Sequence, residues 1–323
     1  MGLRRQAAGR RASMRIHLDT DFGGDPDDAC ALAFLLGRPD CEIAGITTNL
    51  DPGGERAGCV AHYLKLAGRP DIAVAAGAGA TLSRLECYLS TADDPRYWPA
   101  PPESMPGPPG AALDLLLRSI DQGARIVAIG AATNLALLEV IRPGCLAAVP
   151  VFFMGGWVEP PAAGLPGWGP EMDWNTQCDT AAAMILGTRA RLTLVTLPAT
   201  LTAHLRAADL PRLRASGPVG ELLATQSELH ARENGMSELG RAHPGLPDDL
   251  LNFHYDPVTC AVALGWPGAT VEKMRLEPVL EGRELRFRPG DAGHGIDVVT
   301  GVRGDEFAEM WLAAIEELGR KRG

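Results

Sequence analysis

Short runs rich in Val, Ile and Leu alternate with longer amphipathic stretches along most of the chain, and that alternation leaves few folds open. Segments 15–19, 42–46, 72–75, 125–129, 151–154 and 191–197 read as strands, and 27–36, 54–67, 111–122, 134–141 and 179–186 as helices. Strands separated by helices cannot pair as hairpins, so they pair in parallel through crossovers that cover both sheet faces. The expected fold class is α/β, a Rossmann-like, mostly parallel sheet flanked by helices. Two loops interrupt the pattern: 91–109, which carries seven prolines, and a Pro/Gly stretch at 159–170. A polar, helical excursion is expected at about 207–251, then strands at 270–277, 284–287 and 296–301 and a closing helix at 305–318. Residues 14–323 read as a single domain, and the Arg-rich residues 1–13 as a disordered extension.

At the end of the first strand the chain reads His-Leu-Asp-Thr-Asp-Phe-Gly-Gly-Asp-Pro-Asp-Asp-Ala, with carboxylates at 19, 21, 25, 27 and 28. Charges so close repel unless they are solvated, protonated or neutralised by a cation. A solvated acidic helix cap is the plain alternative. A strand C-terminus is where open α/β sheets bind ligands, and this favours a metal site. With oxygen donors only and no well-placed Cys or His, Ca²⁺ or Mg²⁺ suits the run better than zinc.

Composition narrows the function. A net charge of −10 argues against binding nucleic acid through a basic surface. The seven cysteines are odd in number, scattered and free of CxxC, which points to a reducing, cytoplasmic setting. No segment is apolar for long enough to suggest membrane insertion.

Further blocks follow in order: Ile46-Thr-Thr, Ala128-Ile-Gly-Ala-Ala-Thr-Asn-Leu-Ala136, Phe153-Met-Gly-Gly156, Asp173-Trp-Asn175 with Cys178-Asp179, and Tyr255-Asp256-Pro257. Together with the acidic run they resemble the inosine–uridine-preferring nucleoside hydrolases over nearly the whole chain. The resemblance implies the nucleoside-hydrolase fold and a Ca²⁺-dependent enzyme that cleaves the N-glycosidic bond of ribonucleosides. It also implies a homodimer or homotetramer with a small nucleoside as its substrate. Asp21 would ligate Ca²⁺ and accept a proton from the attacking water; Asp28, Asp256 and the Thr133 carbonyl would complete the protein ligands. Asp27, Asp173 and Asn175 would hold ribose hydroxyls, and Trp174 would stand beside the substrate as a lid or core aromatic. Trp157 and Trp168 are candidates for stacking on the base.

Four features depart from the family pattern. The acidic motif is two residues longer, so anchoring on the helix selects Asp27 and Asp28 whereas anchoring on the strand selects Asp25. The ribose-contacting Asn or Asp expected after Ile46-Thr-Thr is represented by Asn49 or Asp51. Asp173 stands where Glu is usual. Tyr255 stands where a His commonly assists the leaving base, with His254 adjacent and His230 and His243 in the overhanging segment. Thr133 and Asn134 can also serve as ordinary helix caps.

Two rival readings are a nucleoside-binding relative without turnover and an Asp-nucleophile phosphohydrolase. The latter normally recruits a Lys to the phosphoryl group, and this chain has three lysines, none convincingly at a strand end.

Overall fold

The computed structural model describes residues 13–83, 94, 96–98 and 100–321. Eleven strands follow in chain order: β1 Met14–Thr20, β2 Cys41–Thr48, β3 Val74–Ala76, β4 Arg125–Ala128, β5 Pro150–Met154, β6 Arg191–Val195, β7 His204–Arg206, β8 Leu250–Phe253, β9 Ala269–Glu281, β10 Glu284–Pro289 and β11 His294–Val302. Nine form one sheet in the order β10-β9-β11-β6-β5-β4-β1-β2-β3. From β3 to β11 every neighbouring pair is parallel; β9 and β10 add an antiparallel edge. The chain runs outward from β1 through β2 to β3, then returns to place β4 on the other side of β1. A crevice therefore opens at the C-terminal ends of β1 and β4, where doubly wound sheets bind ligands.

Apolar layers close both faces. Ile16, Leu18 and Val127 face the helices Asp27–Gly37, Tyr255–Ala263 and Gly304–Arg320, while Ile126, Val151 and Leu194 face Thr133–Ile141 and Thr180–Arg189. Each fully buried Leu or Phe contributes about 1.5–3 kcal/mol. Every residue of helix Asp27–Gly37 is buried, because Tyr255–Ala263 and Gly304–Arg320 pack along it. Gly37 keeps the contact with Gly304–Arg320 close, since a Cβ there would collide with the Ala314 carbonyl oxygen.

Most expected elements appear within a few residues. The excursion at 207–251 contains helices Leu210–Ala215, Gly217–Glu233 and Met236–Ala242, but β8, paired with β7, forms its end. The helix Tyr255–Ala263 had no counterpart in the sequence reading. The 91–109 loop holds no helix or strand over its described residues, and the extension at 1–13 lies, apart from Ser13, outside them. Among the described residues no helix is long and apolar enough to cross a membrane.

Candidate functional site

A cavity of about 420 Å³ lies at the C-terminal ends of the central strands. Asp21, Asp25, Asp27, Asp28 and Asp256, each within electrostatic reach of others in the set, make an acidic wall; Asp173, Met154, Trp168, Met172, Trp174, Leu197 and Tyr255 also line the cavity. Two buried helices build the acidic wall. Asp27 and Asp28 open helix Asp27–Gly37, Asp256 lies in the first turn of Tyr255–Ala263, and packing of these helices brings the three carboxylates together. One oxygen from each of Asp27, Asp28 and Asp256 lies within 4.8 Å of the others, an arrangement that could hold a metal ion. The positive ends of both helix dipoles favour anionic groups there.

Burial pushes Asp27 and Asp256 well above the usual carboxylate range, followed by repulsion from Asp25 and Asp28 on Asp27 and from Asp27 and Asp28 on Asp256. Burial likewise raises Asp28, with Asp21 as its strongest repelling neighbour, and raises Asp21 against the opposing Arg56 charge. A cluster whose members all resist ionisation is complementary to a divalent cation. Trp174, half exposed, donates its indole N–H to Asp21 Oδ2 at 3.2 Å. A Cβ at residue 130 would stand 2.6 Å from Asp21 Oδ1, so Gly130 leaves the room that this carboxylate occupies.

The expected ribose contacts separate into two groups. Asp27, Asp173, Trp174 and Asn175 line the cavity. Asp173 also caps its helix, accepting from Thr176 N at 3.3 Å and Gly156 N at 2.6 Å, while burial lifts it to about 6. Asn175 donates to the Met154 carbonyl at 3.0 Å. Asn49 and Asp51, by contrast, do not line the cavity. Asp51 accepts from Thr48 Oγ1 and the backbone N–H groups of Arg56 and Ala57, fixing the start of helix Glu55–Leu66. Asn49 donates to Asp19, which also accepts from Thr47 and Asn134 and is held at about 6 chiefly by burial.

Two further expectations are corrected. Thr133 is fully buried, donates to Asp179 Oδ2 at 2.7 Å and does not line the cavity; Ile129, just past β4, does. His254 faces away from the cavity and packs on Trp311 and Phe307, with ring centroids 4.6 and 5.4 Å away. Its neighbour Tyr255 faces the cavity, as adjacent residues on a helix must diverge. Burial, aided by His204, lowers His254 to about 3.

His254→Leu is therefore expected to hold kcat within about threefold, since no reacting group is lost. The unfolded imidazole binds a proton near 6.5 and the folded one near 3, so wild-type stability is lost as pH falls through that window. The Leu variant lacks this loss and should gain on wild type by up to about 1.4 kcal/mol per pH unit there. Thermal melts from pH 7 to 4 read the difference; a large kcat loss in a folded variant would return His254 to the chemistry.

Asp25 borders the opening rather than the three-carboxylate cluster. Asn252 donates to it at 2.5 Å, and His230 Nε2 stands 3.5 Å away, so the longer motif ties the β1 loop to the helical excursion. His243 bonds to the Leu239 carbonyl and Trp157 to the Trp168 carbonyl, leaving Trp168 as the loop aromatic on the cavity. Sequence reading missed Ile129 and Arg56. Ile129 is an ordinary apolar residue just past β4, which leaves no residue-type signal. An Arg at the start of a helix resembles many solvated ones.

Known proteins resemble this chain in sequence and in fold. A model of the inosine-uridine preferring nucleoside hydrolases matches residues 16–309. A pyrimidine-specific ribonucleoside hydrolase, RihA, of Salmonella agona is 34% identical over 240 residues, covering 68% of this chain and 74% of the relative. A solved plant nucleoside hydrolase superposes with a TM-score of 0.78 at 21% identity, covering 94% of this chain and 98% of its own. A purine-preferring ribonucleoside hydrolase from Gardnerella vaginalis gives 0.76 at 20% identity, covering 95% and 99%. The family match spans β1 through the closing helix and includes all six cavity aspartates, and the chain belongs to the inosine-uridine preferring nucleoside hydrolase family.

Proposed function

We propose that the chain hydrolyses the N-glycosidic bond of ribonucleosides, releasing free base and ribose, with Ca²⁺ as its cation. The observation that carries this reading is the cavity's mixed lining: six aspartates for a sugar and a cation, together with Trp168, Trp174, Tyr255, Met154 and Met172 for a flat base. The oxygen donors Asp21, Asp28 and Asp256, with the Ile129 carbonyl in place of that of Thr133, suit an ion that takes six to eight oxygens. When bound, the cation supplies a Lewis acid beside the attacking water and a fixed point for sugar hydroxyls.

Asp27 and Asn175 orient the ribose, and Asp173 stiffens the turn that presents Asn175. Asp21 accepts a proton from water as its oxygen bonds to the anomeric carbon; the C–N bond breaks and its electron pair leaves on the base nitrogen, which is then protonated. The acidic wall stabilises the positive charge that develops on the sugar. Burial and neighbouring carboxylates hold the Tyr255 phenol well above its ordinary range, so it can donate a hydrogen bond to the departing base but is a poor proton source. The relatives include both a pyrimidine-specific and a purine-preferring ribonucleoside hydrolase.

Ribose release from inosine, uridine and a nitrophenyl riboside tests the reading in wild type and Tyr255→Phe. Wild type should cleave at least one natural nucleoside. Tyr255→Phe should lose about tenfold on it, the scale of one hydrogen bond, and little on the activated riboside. No ribose from any of them would remove the assignment. We also infer a cytoplasmic homodimer or homotetramer; light scattering reads the assembly.

A further inference from the structure

Arg56 belongs to the segment in which Asn49 and Asp51 were expected to hold the sugar, and it reaches the cavity that they do not. The residue is only 4% exposed. Its Nε donates to the Leu50 carbonyl at 3.2 Å, and its Nη1 to the carbonyls of Asp21 and of Phe22, the latter at 3.1 Å. A buried guanidinium normally pairs with a carboxylate. Here six aspartates line the same cavity, yet among the described residues none forms an ion pair with Arg56, and Nη2 has no protein partner. Two N–H donors of a rigid fork are thus left at the cavity wall. Of the cavity carboxylates, Asp21 and Asp28 feel the Arg56 charge, which locates it on their side.

We propose that Arg56 positions the substrate, its Nη2 donating to the 2′-hydroxyl of the ribose while Nε and Nη1 fix the main chain that carries Asp21. The assignment rests on the nucleoside-hydrolysis reading. A proton acceptor for the attacking water must stand beside the anomeric carbon, and the 2′-hydroxyl is borne by the next ring carbon. A donor anchored to the Asp21 main chain therefore meets that oxygen before the 5′-hydroxyl. Six carboxylates against one guanidinium leave the site acidic enough for a cationic sugar.

The test compares a cleaved ribonucleoside with its 2′-deoxy and 5′-deoxy analogues in wild type, Arg56→Met and Arg56→Lys, reading kcat/KM and, by competition, Kd. A hydrogen bond from a charged donor corresponds to roughly 10- to 150-fold in affinity. Arg56→Met loses the bonds to the Asp21 main chain on every substrate, and should lose about that much more on the ribonucleoside and the 5′-deoxy analogue than on the 2′-deoxy analogue. Equal losses on all three would overturn the proposal while leaving nucleoside hydrolysis intact. A wild type inactive on every nucleoside overturns both. If Arg56→Met fails to fold, Arg56→Lys decides: its single ammonium cannot serve three carbonyls and the sugar, so the ribo to 2′-deoxy ratio must shrink, and an unchanged ratio in the folded Lys variant overturns the proposal.

Discussion

Asp21→Asn is expected to lower kcat by roughly two to four orders of magnitude, the scale of a lost general base, while nucleoside binding changes far less. The substitution preserves shape. Trp174 and Gly130 hold the Asp21 carboxylate from two sides, so an amide fits the same space without reorganising the cavity. What disappears is the capacity to accept a proton, together with one anionic ligand. Activity must therefore be measured at saturating cation, with Kd for a nucleoside measured alongside. Turnover equal to wild type under those conditions would move the base to Asp27 or Asp25, the next carboxylates on the cavity.

The fold was legible because its signals are local and repeated. Burial on both faces makes β4 and β5 near-continuous apolar runs, β1 alternates Ile16 and Leu18 with His17 and Asp19, and the helices between them carry their own periodicity. Helix Tyr255–Ala263 was missed because it is short, begins Tyr-Asp-Pro and takes its stability from packing against Asp27–Gly37. In the site, Asp27 and Asp28 were legible as charges too dense to stand without a partner, whereas Asp256, 228 positions beyond Asp28, was legible only through the family resemblance. Asn49, Asp51 and Thr133 were misread for one common reason. Each is a polar residue at a strand end or helix start, where local backbone and buried side-chain partners compete with any ligand. Asp51 caps a helix and Asn49 and Thr133 bond to Asp19 and Asp179. Residue type gives no sign of which competitor wins. Arg56 shows the converse: the adjoining cap turns an ordinary helix-start residue into the cavity.

Removing the cation should abolish turnover and lower Tm, and re-adding Ca²⁺ should restore both. A ligand bound only by the native state stabilises it by about 2.7 kcal/mol at a hundredfold excess over Kd, which is a few degrees in Tm for a chain of this size. The size of the effect should depend on pH in a defined direction. Asp21, Asp27, Asp28 and Asp256 all have folded-state proton affinities raised above the unfolded value. For such groups the native state holds more protons than the unfolded chain, so the metal-free protein loses stability as pH rises through their folded-state values. The buried imidazoles of His17 and His254, both near 3, act in the opposite sense below 6.5, but equally with and without cation. Subtracting the chelated melt from the loaded melt therefore cancels the histidines and isolates the carboxylates. That gap should widen from pH 5 to pH 8, because ligation needs ionised carboxylates and ionisation is what destabilises the metal-free cluster. A gap that is constant over this range, or full turnover in chelator, would mean that the acidic wall does not hold the cation.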